Sequence, residues 1–338
     1  MMVKINQIIV AKETREGEPR VALTPAAVAA LVKKDYRIMI ESEAGSLAGF
    51  KDAEYIQAGA DMFILGSTHF PLHSLFLRVK RPNKIREHLE NELLPDGTVM
   101  MGFLDPFDVQ QENHIANWQR KGIKPISLEL LHLAADDPKN AQAAMSRFAG
   151  QLALQNALQH YQGLLPKRVT VLGTGPAGLS AAFAAIKQQL PVQLFGRQER
   201  YRQAVEREGI TYYVLPATDQ RAFIRAHLSS ETLIITAARN VGETSPLLID
   251  AASFDVLPDK AVIIDLSTGE GGNVEGSIED QVVIIDRDIS IINVSGYPKA
   301  EPKMASEAYA QAIVNLLLEV MTPNDGINLE HALLRDFV

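Results

Sequence analysis

Short apolar runs alternate with helix-forming stretches along the whole chain. The runs Gln7–Ala11, RIMIES, LFLRVKRP, Thr98–Leu104 and Lys124–Leu128 read as strands, with helices over Ala53–Ala58 and Gln110–Lys121 between them. Another helix opens at Thr24-Pro25, where Thr24 suits the N-cap and Pro25 the first helical position. Such alternation predicts an α/β architecture with a mostly parallel sheet. The turn cluster Asp136–Lys139 precedes a long run of helix formers, Ala141–Leu158, which predicts a helix leaving one domain and entering the next. Further strands are expected at Val169–Leu172, Val192–Phe195, Thr211–Val214, Thr232–Thr236, Ala261–Asp265, Val282–Ile285 and Ile289–Val294. A last apolar helix, Ser306–Met321, is expected to cross back to the first domain, followed by a tail, Thr322–Val338, of turn residues and a short helix. The expected division is therefore 1–135 with 306–338, and 136–305.

The most specific local signal is VTVLGTGPAGLSAAFAAIKQQLPVQLFGRQ, from Val169 to Gln198. A strand runs into Gly173-Thr174-Gly175-Pro176-Ala177-Gly178 and then into a helix, which is the dinucleotide fingerprint G-x-G-x-x-G in its required context. Backbone N–H groups and a positive helix end suit a pyrophosphate there. The following strand ordinarily ends in an acid that holds the ribose 2′-OH, yet here it ends Phe195-Gly196-Arg197. A small residue followed by a guanidinium suits a 2′-phosphate, and a solvated loop charge is the other reading.

With 338 residues the chain exceeds what one core usually serves, so two domains are expected. The balance of 33 basic against 41 acidic residues, with the basic ones scattered, argues against a nucleic-acid surface. The absence of Cys excludes disulfides, thiol catalysis and Cys-ligated metal, and His69 and His73, interrupted by Pro71, give no metal expectation. No apolar run reaches the length of a membrane helix.

Two further segments fall at strand ends where a doubly wound sheet receives ligands. Thr236, Ala237 and Ala238, in IITAARNVG, would let a nicotinamide ribose approach the backbone; Asp265, Leu266 and Ser267, in IIDLSTGEGGN, open an acidic, glycine-rich loop. In the first domain, Arg20 could clamp a carboxylate and Lys80 could polarise a substrate oxygen, or both are solvated strand-end charges. Asp105 is a general acid/base candidate or a turn-forming Asp.

With KETREGEPRVALTP, ESEAGSLAGFKDAEYIQAGAD, LFLRVKRP, VTVLGTGPAGLSAA and IIDLSTGEGGNVE in this order, nearly the whole chain resembles the alanine dehydrogenase and pyridine nucleotide transhydrogenase family. The resemblance implies two Rossmann-like doubly wound domains with a cleft between them, the first domain discontinuous. It also implies substrate-binding roles for Arg20 and Lys80. The other two catalytic positions of alanine dehydrogenases, a His in YLHLA and an Asp before QGG, fall here on Asp105 and on Gly269, with Glu270 beside it. The segments FLDP, GGNVE, SEAYAQAIVNLLLEV and NDGINLEHALLRDFV resemble the first, NAD-binding domain of the proton-translocating transhydrogenase alpha subunit instead. AMSRFAG is closer to the MSEVAG of alanine dehydrogenases, and the transhydrogenase Arg-Gln-Asp loop is not reproduced.

The expectation is a transhydrogenase-alpha-like oxidoreductase that exchanges hydride between NAD(H) and NADP(H) with membrane-embedded partner subunits. The alternatives are a stand-alone NAD(P)-dependent amino-acid dehydrogenase of the alanine, opine or saccharopine type, and a catalytically impaired nucleotide sensor. Gly196-Arg197 favours NADP and the resemblance favours NAD. A homodimer is expected, in the cytoplasm or peripheral to the inner membrane through its partners.

Overall fold

Apolar strands flanked by helices on both sides account for nearly all of the secondary structure. The computed structural model describes residues 2–67, 69–106, 114–239, 244–267, 271–323 and 325–334. The chain divides into two compact units, Met1–Met145 with Lys299–Val338, and Ser146–Pro298.

The first unit holds strands β1 (Met2–Val3), β2 (Gln7–Val10), β3 (Ile38–Glu41), β4 (Asp61–Phe63), β5 (Ser74–Lys80), β6 (Val99–Phe103) and β7 (Lys124–Ser127). Helices α1 (Pro25–Val32), α2 (Asp52–Gln57), α3 (Lys84–Leu93) and α4 (His114–Arg120) alternate with them. Strands β2 to β7 form a parallel sheet in the order β4-β3-β2-β5-β6-β7. Its direction reverses between β2 and β5, so the loops leaving these two strands diverge and leave a crevice at their C-terminal ends. Thr24 caps α1 as its sequence predicts, accepting from the Ala27 N–H at 3.3 Å.

Helix α5 (Ala141–His160) carries the chain into the second unit. There β8 (Val169–Leu172), β9 (Val192–Gly196), β10 (Thr211–Val214), β11 (Leu233–Thr236), β12 (Val262–Asp265), β13 (Val282–Ile285) and β14 (Ile289–Ile292) form one sheet in the order β10-β9-β8-β11-β12-β14-β13. All neighbours are parallel except the edge pair β13 and β14. Helices α6 (Pro176–Lys187), α7 (Arg202–Arg207), α8 (Gln220–Arg225) and α9 (Ala251–Phe254) connect the strands. Leu233 and Ile235 of β11 pack into a core with Ala181, Ala182 and Ala185 of α6, whereas Ile234 packs into a second core with Ile224 and Leu257. Both faces are covered, which is why these strands are apolar throughout and not alternating.

Helix α10 (Pro302–Val320) then returns to the first unit. Ser306 Oγ accepts the Val21 N–H at 3.0 Å and Tyr309 Oη donates to the Arg78 carbonyl at 2.8 Å, which ties the helix to the first sheet.

The tail departs from expectation. Instead of a short helix, 321–334 contains β15 (Met321–Thr322), β16 (Gly326–Asn328) and turns, and β1, β16 and β15 make a small antiparallel sheet. Gly326 sets this up: at φ 91° it passes so close to the Val3 carbonyl that a Cβ would lie 2.1 Å from the oxygen. Residues 110–113 of the expected helix Gln110–Lys121 lie outside the described residues, and α4 begins at His114. Helix α3 has no counterpart in the sequence reading, because the face it buries is charged: Arg86, Glu87 and Glu90 are buried.

Candidate functional site

Strand β8 ends at the point where the second sheet reverses direction, between β8 and β11. Gly173 follows it at φ 120°, and a Cβ there would come within 2.5 Å of the Ala237 carbonyl oxygen beyond β11. Gly178 packs α6 onto the turn, since its Cβ would stand 2.0 Å from the Gly173 oxygen. Both glycines are therefore required by the fold. Gly175 is different: it caps α6 with ordinary backbone angles, and a Cβ on it would meet nothing within 4 Å. Its lack of a side chain serves whatever approaches the helix from outside. The first turn of α6, Pro176-Ala177-Gly178, carries no acidic residue, so the positive end of the helix is not neutralised locally.

Gly196, at the end of β9, has an unexpected neighbourhood. A Cβ would lie 2.4 Å from both Thr174 Cγ2 and Tyr212 Oη. The hydroxyl is fixed, because Tyr212 donates to the Gln198 carbonyl at 2.8 Å. The acid usual at this position is thus absent and its space is filled. Arg197 follows on an exposed loop.

Thr236 and Asp265 are buried and bonded inward. Asp265 Oδ1 accepts from Thr236 Oγ1 and from the Ser267 N–H, both at 3.0 Å, and Oδ2 accepts the Asn273 N–H at 3.1 Å. Asn273 in turn grips Ala238 from both sides, accepting its N–H at 3.0 Å and donating to its carbonyl at 2.9 Å. Asp265 and Asn273 therefore shape the loops after β11 and β12, while Leu266 packs against the core on the α6 side. Glu270 lies outside the described residues, as does Gly269.

The crevice of the first sheet collects the other candidates. Loops leaving β2, β5 and β6 deliver Glu13, Arg15, Lys80 and Asp105 to one place. Between Leu77 and Lys80 the register of β5 against β6 slips, and Glu13 caps the irregularity by accepting the N–H groups of Val79 and Lys80 at 2.6 and 3.1 Å. Burial pushes the Glu13 carboxyl up to about 7, against the lowering pull of Arg78 and the Val79 N–H.

Lys80 Nζ lies 3.6 Å from Asp105 Oδ1 and over the Phe103 ring, and Arg15 bonds the other carboxylate oxygen of Asp105. Burial works to raise the Asp105 carboxyl, but Lys80 and Arg15 outweigh it and hold it below the usual range. Asp105 stands at φ 52°, with its N–H and that of Leu104 each 3.2 Å from Glu129. Arg20 is not one of this group. Its Nε and Nη2 each bond Glu18 at 2.6 Å, Nη1 reaches the Met145 sulfur at 3.2 Å, and the pair is almost wholly buried.

The sequence reading thus identified Lys80 and Asp105, which the fold brings together, and missed Glu13, Arg15, Glu18, Tyr212, Glu129 and Asn273. Three of these stand in KETREGEPR, whose alternation of acids and bases was the available signal. Tyr212 carries no such mark, since only the packing of β10 beside β9 brings it to Gly196. Among the described residues, no helix is long and apolar enough to cross a membrane and no group of three or more His, Cys, Asp or Glu is placed to hold a metal ion.

Comparison with known proteins gives a consistent match. The family model "Alanine dehydrogenase/PNT, N-terminal domain" fits residues 9–149, and its C-terminal counterpart fits 139–338. The first portion of NAD(P) transhydrogenase subunit alpha from Rickettsia prowazekii, a separate chain in that organism, is 25% identical, covering 98% of this chain and 94% of its own length. Alanine dehydrogenase of Mycobacterium tuberculosis is 27% identical over 91% of this chain and 85% of its own. The solved transhydrogenase from Sinorhizobium meliloti shares the fold with a TM-score of 0.86, at 23% identity over 98% of this chain and 97% of that one.

Proposed function

We propose, from the premise that this chain belongs to the alanine dehydrogenase/PNT family, that it is a transhydrogenase-alpha-like oxidoreductase. It binds a nicotinamide nucleotide in the second unit and exchanges hydride with a nucleotide held by partner subunits. The observation that carries the nucleotide site is Gly175, whose open Cα face sits at the start of α6 beside the reversal of the sheet. Backbone N–H groups of 175–178 would hold the pyrophosphate, and Ala237 and Ala238 would let a ribose approach the loop that Asn273 fixes. The bound nicotinamide ring supplies the hydride chemistry. What this chain adds is position and a water-poor surround, which is where most of the barrier reduction in a direct transfer arises.

The partners are membrane-embedded subunits carrying the other nucleotide, with this chain a homodimer peripheral to the membrane on the cytoplasmic side. Between the two activities of the family, the first unit supports transhydrogenation. Of the two cations that alanine dehydrogenases of the resemblance use on substrate, Arg20 is committed to Glu18 and Lys80 to Asp105. A second reading, a stand-alone amino-acid dehydrogenase, draws on the same Lys80–Asp105 contact as an acid/base pair.

Steady-state assays with pyruvate, ammonia and NADH or NADPH separate the two. No turnover above background is expected. Turnover that Lys80→Ala abolishes would overturn the transhydrogenase reading.

A further inference from the structure

We propose that Asp105 and Glu18 are built-in occupants of the first unit's cation sites, and that Asp105 is the residue that closes this crevice to carboxylate substrates. The inference rests on the reading above and specifies which substrate class the site rejects.

A 2-oxo acid or amino acid needs cations free to receive its carboxylate, preferably a guanidinium fork or an ammonium in a partly dry setting. Two such places exist at the crevice, and each already holds a carboxylate from the chain itself. Glu18 takes Arg20 in two-pronged fashion with both partners buried, at side-chain exposures of 0% and 5%. Breaking that pair to admit a ligand would leave a buried charge alone, which is strongly unfavourable. This half of the closure is permanent.

Asp105 closes the other half, and the local backbone shows how firmly it is presented. It sits in the left-handed region at φ 52°, which disfavours most side chains. Glu129 holds the peptide in place by accepting the N–H groups of Leu104 and Asp105, and Ser127 Oγ donates to the same Glu129 at 2.5 Å. His114 Nε2 contacts the Leu104 carbonyl at 2.6 Å. With its backbone so held, the carboxylate reaches Lys80 with one oxygen and Arg15 with the other. An incoming carboxylate would have to displace it or share two cations with a second negative charge. Unlike Arg20 and Glu18, these groups are partly exposed, at 28% for Lys80, 24% for Asp105 and 44% for Arg15. Removing Asp105 should therefore open an accessible cation pair without dismantling the core.

The test is a calorimetric titration with oxalate and with pyruvate, without nucleotide, on wild type, Asp105→Gly and Asp105→Gly/Lys80→Ala. Glycine tolerates the left-handed backbone, and Asp105→Asn, which also adopts it readily, takes its place if the glycine variant does not fold by thermal melting. Wild type is expected to bind neither probe. The single variant should gain at least about tenfold in affinity for oxalate, the size of one charge-assisted contact, and lose the gain when Lys80 is also removed. Saturable binding by wild type, or a folded Asp105 variant that binds no better, overturns the proposal. Neither result touches the nucleotide site, because no nucleotide is present; the transhydrogenase reading fails separately, in hydride transfer.

Discussion

Glu13 shows how much one buried side chain can decide. It bridges the loop after β2 to the slipped end of β5 through two backbone N–H groups, and burial raises its carboxyl from 4.5 to about 7 despite Arg78. Between those two values the folded chain holds a proton that the unfolded chain has lost, so stability falls as pH rises through the window. The full difference is about 3 kcal/mol at 1.36 kcal/mol per unit. Denaturant unfolding at pH 5 and pH 8 should show this loss in wild type and a flatter profile in Glu13→Gln. An unchanged slope in the variant would assign the effect elsewhere. At the ribose end of the nucleotide site, Thr174 and Tyr212 fill the space of an acid, and Arg197 is the exposed cation that follows. Titration with NADPH and NADH should find that Arg197→Ala weakens NADPH by about tenfold and leaves NADH nearly unchanged. Equal losses for both nucleotides would mean that Arg197 does not read the 2′-phosphate.

At the scale of elements, the turn between β8 and α6 separates what the fold needs from what a ligand needs. Gly178→Ala forces a Cβ to within 2.0 Å of the Gly173 oxygen, and rigid backbone cannot yield cheaply. A cost of about 1–3 kcal/mol is expected, visible as a lower melting temperature. Gly175→Ala meets no protein atom, so it should melt like wild type and bind nucleotide poorly. A Gly175→Ala chain that binds NADH and NADPH normally would remove the pyrophosphate from this turn. Such a strand–turn–helix unit is legible in sequence because its requirements are local. Helix α3 was not, because its buried face is charged: Arg86 bonds Glu41 and Glu90, and Glu90 also takes Arg78. Periodicity reports apolar burial alone. β15 and β16 escaped for another reason, since their partner β1 lies at the opposite end of the chain.

Taken whole, the molecule repeats one order of strands. Each sheet runs outward from a central strand, returns across it and leaves a crevice at the reversal, β2 with β5 in one unit and β8 with β11 in the other. The second crevice has the glycines of a nucleotide site, and the first has cations already matched by the chain's own acids. The sequence reached the architecture and the glycine turn, but it left Arg20 and Lys80 as free cations. Their partners Glu18 and Asp105 become visible only when loops after β2, β5 and β6 meet. A nucleotide site in one unit and a closed carboxylate site in the other suit direct exchange between two nucleotides. The decisive measurement follows deuterium from C4-labelled NADPH to an oxidised NAD analogue, with the chain and its membrane-embedded partner subunits present and no 2-oxo acid or ammonia. The label should appear in the reduced analogue undiluted by solvent; an analogue that stays oxidised or unlabelled would contradict the account.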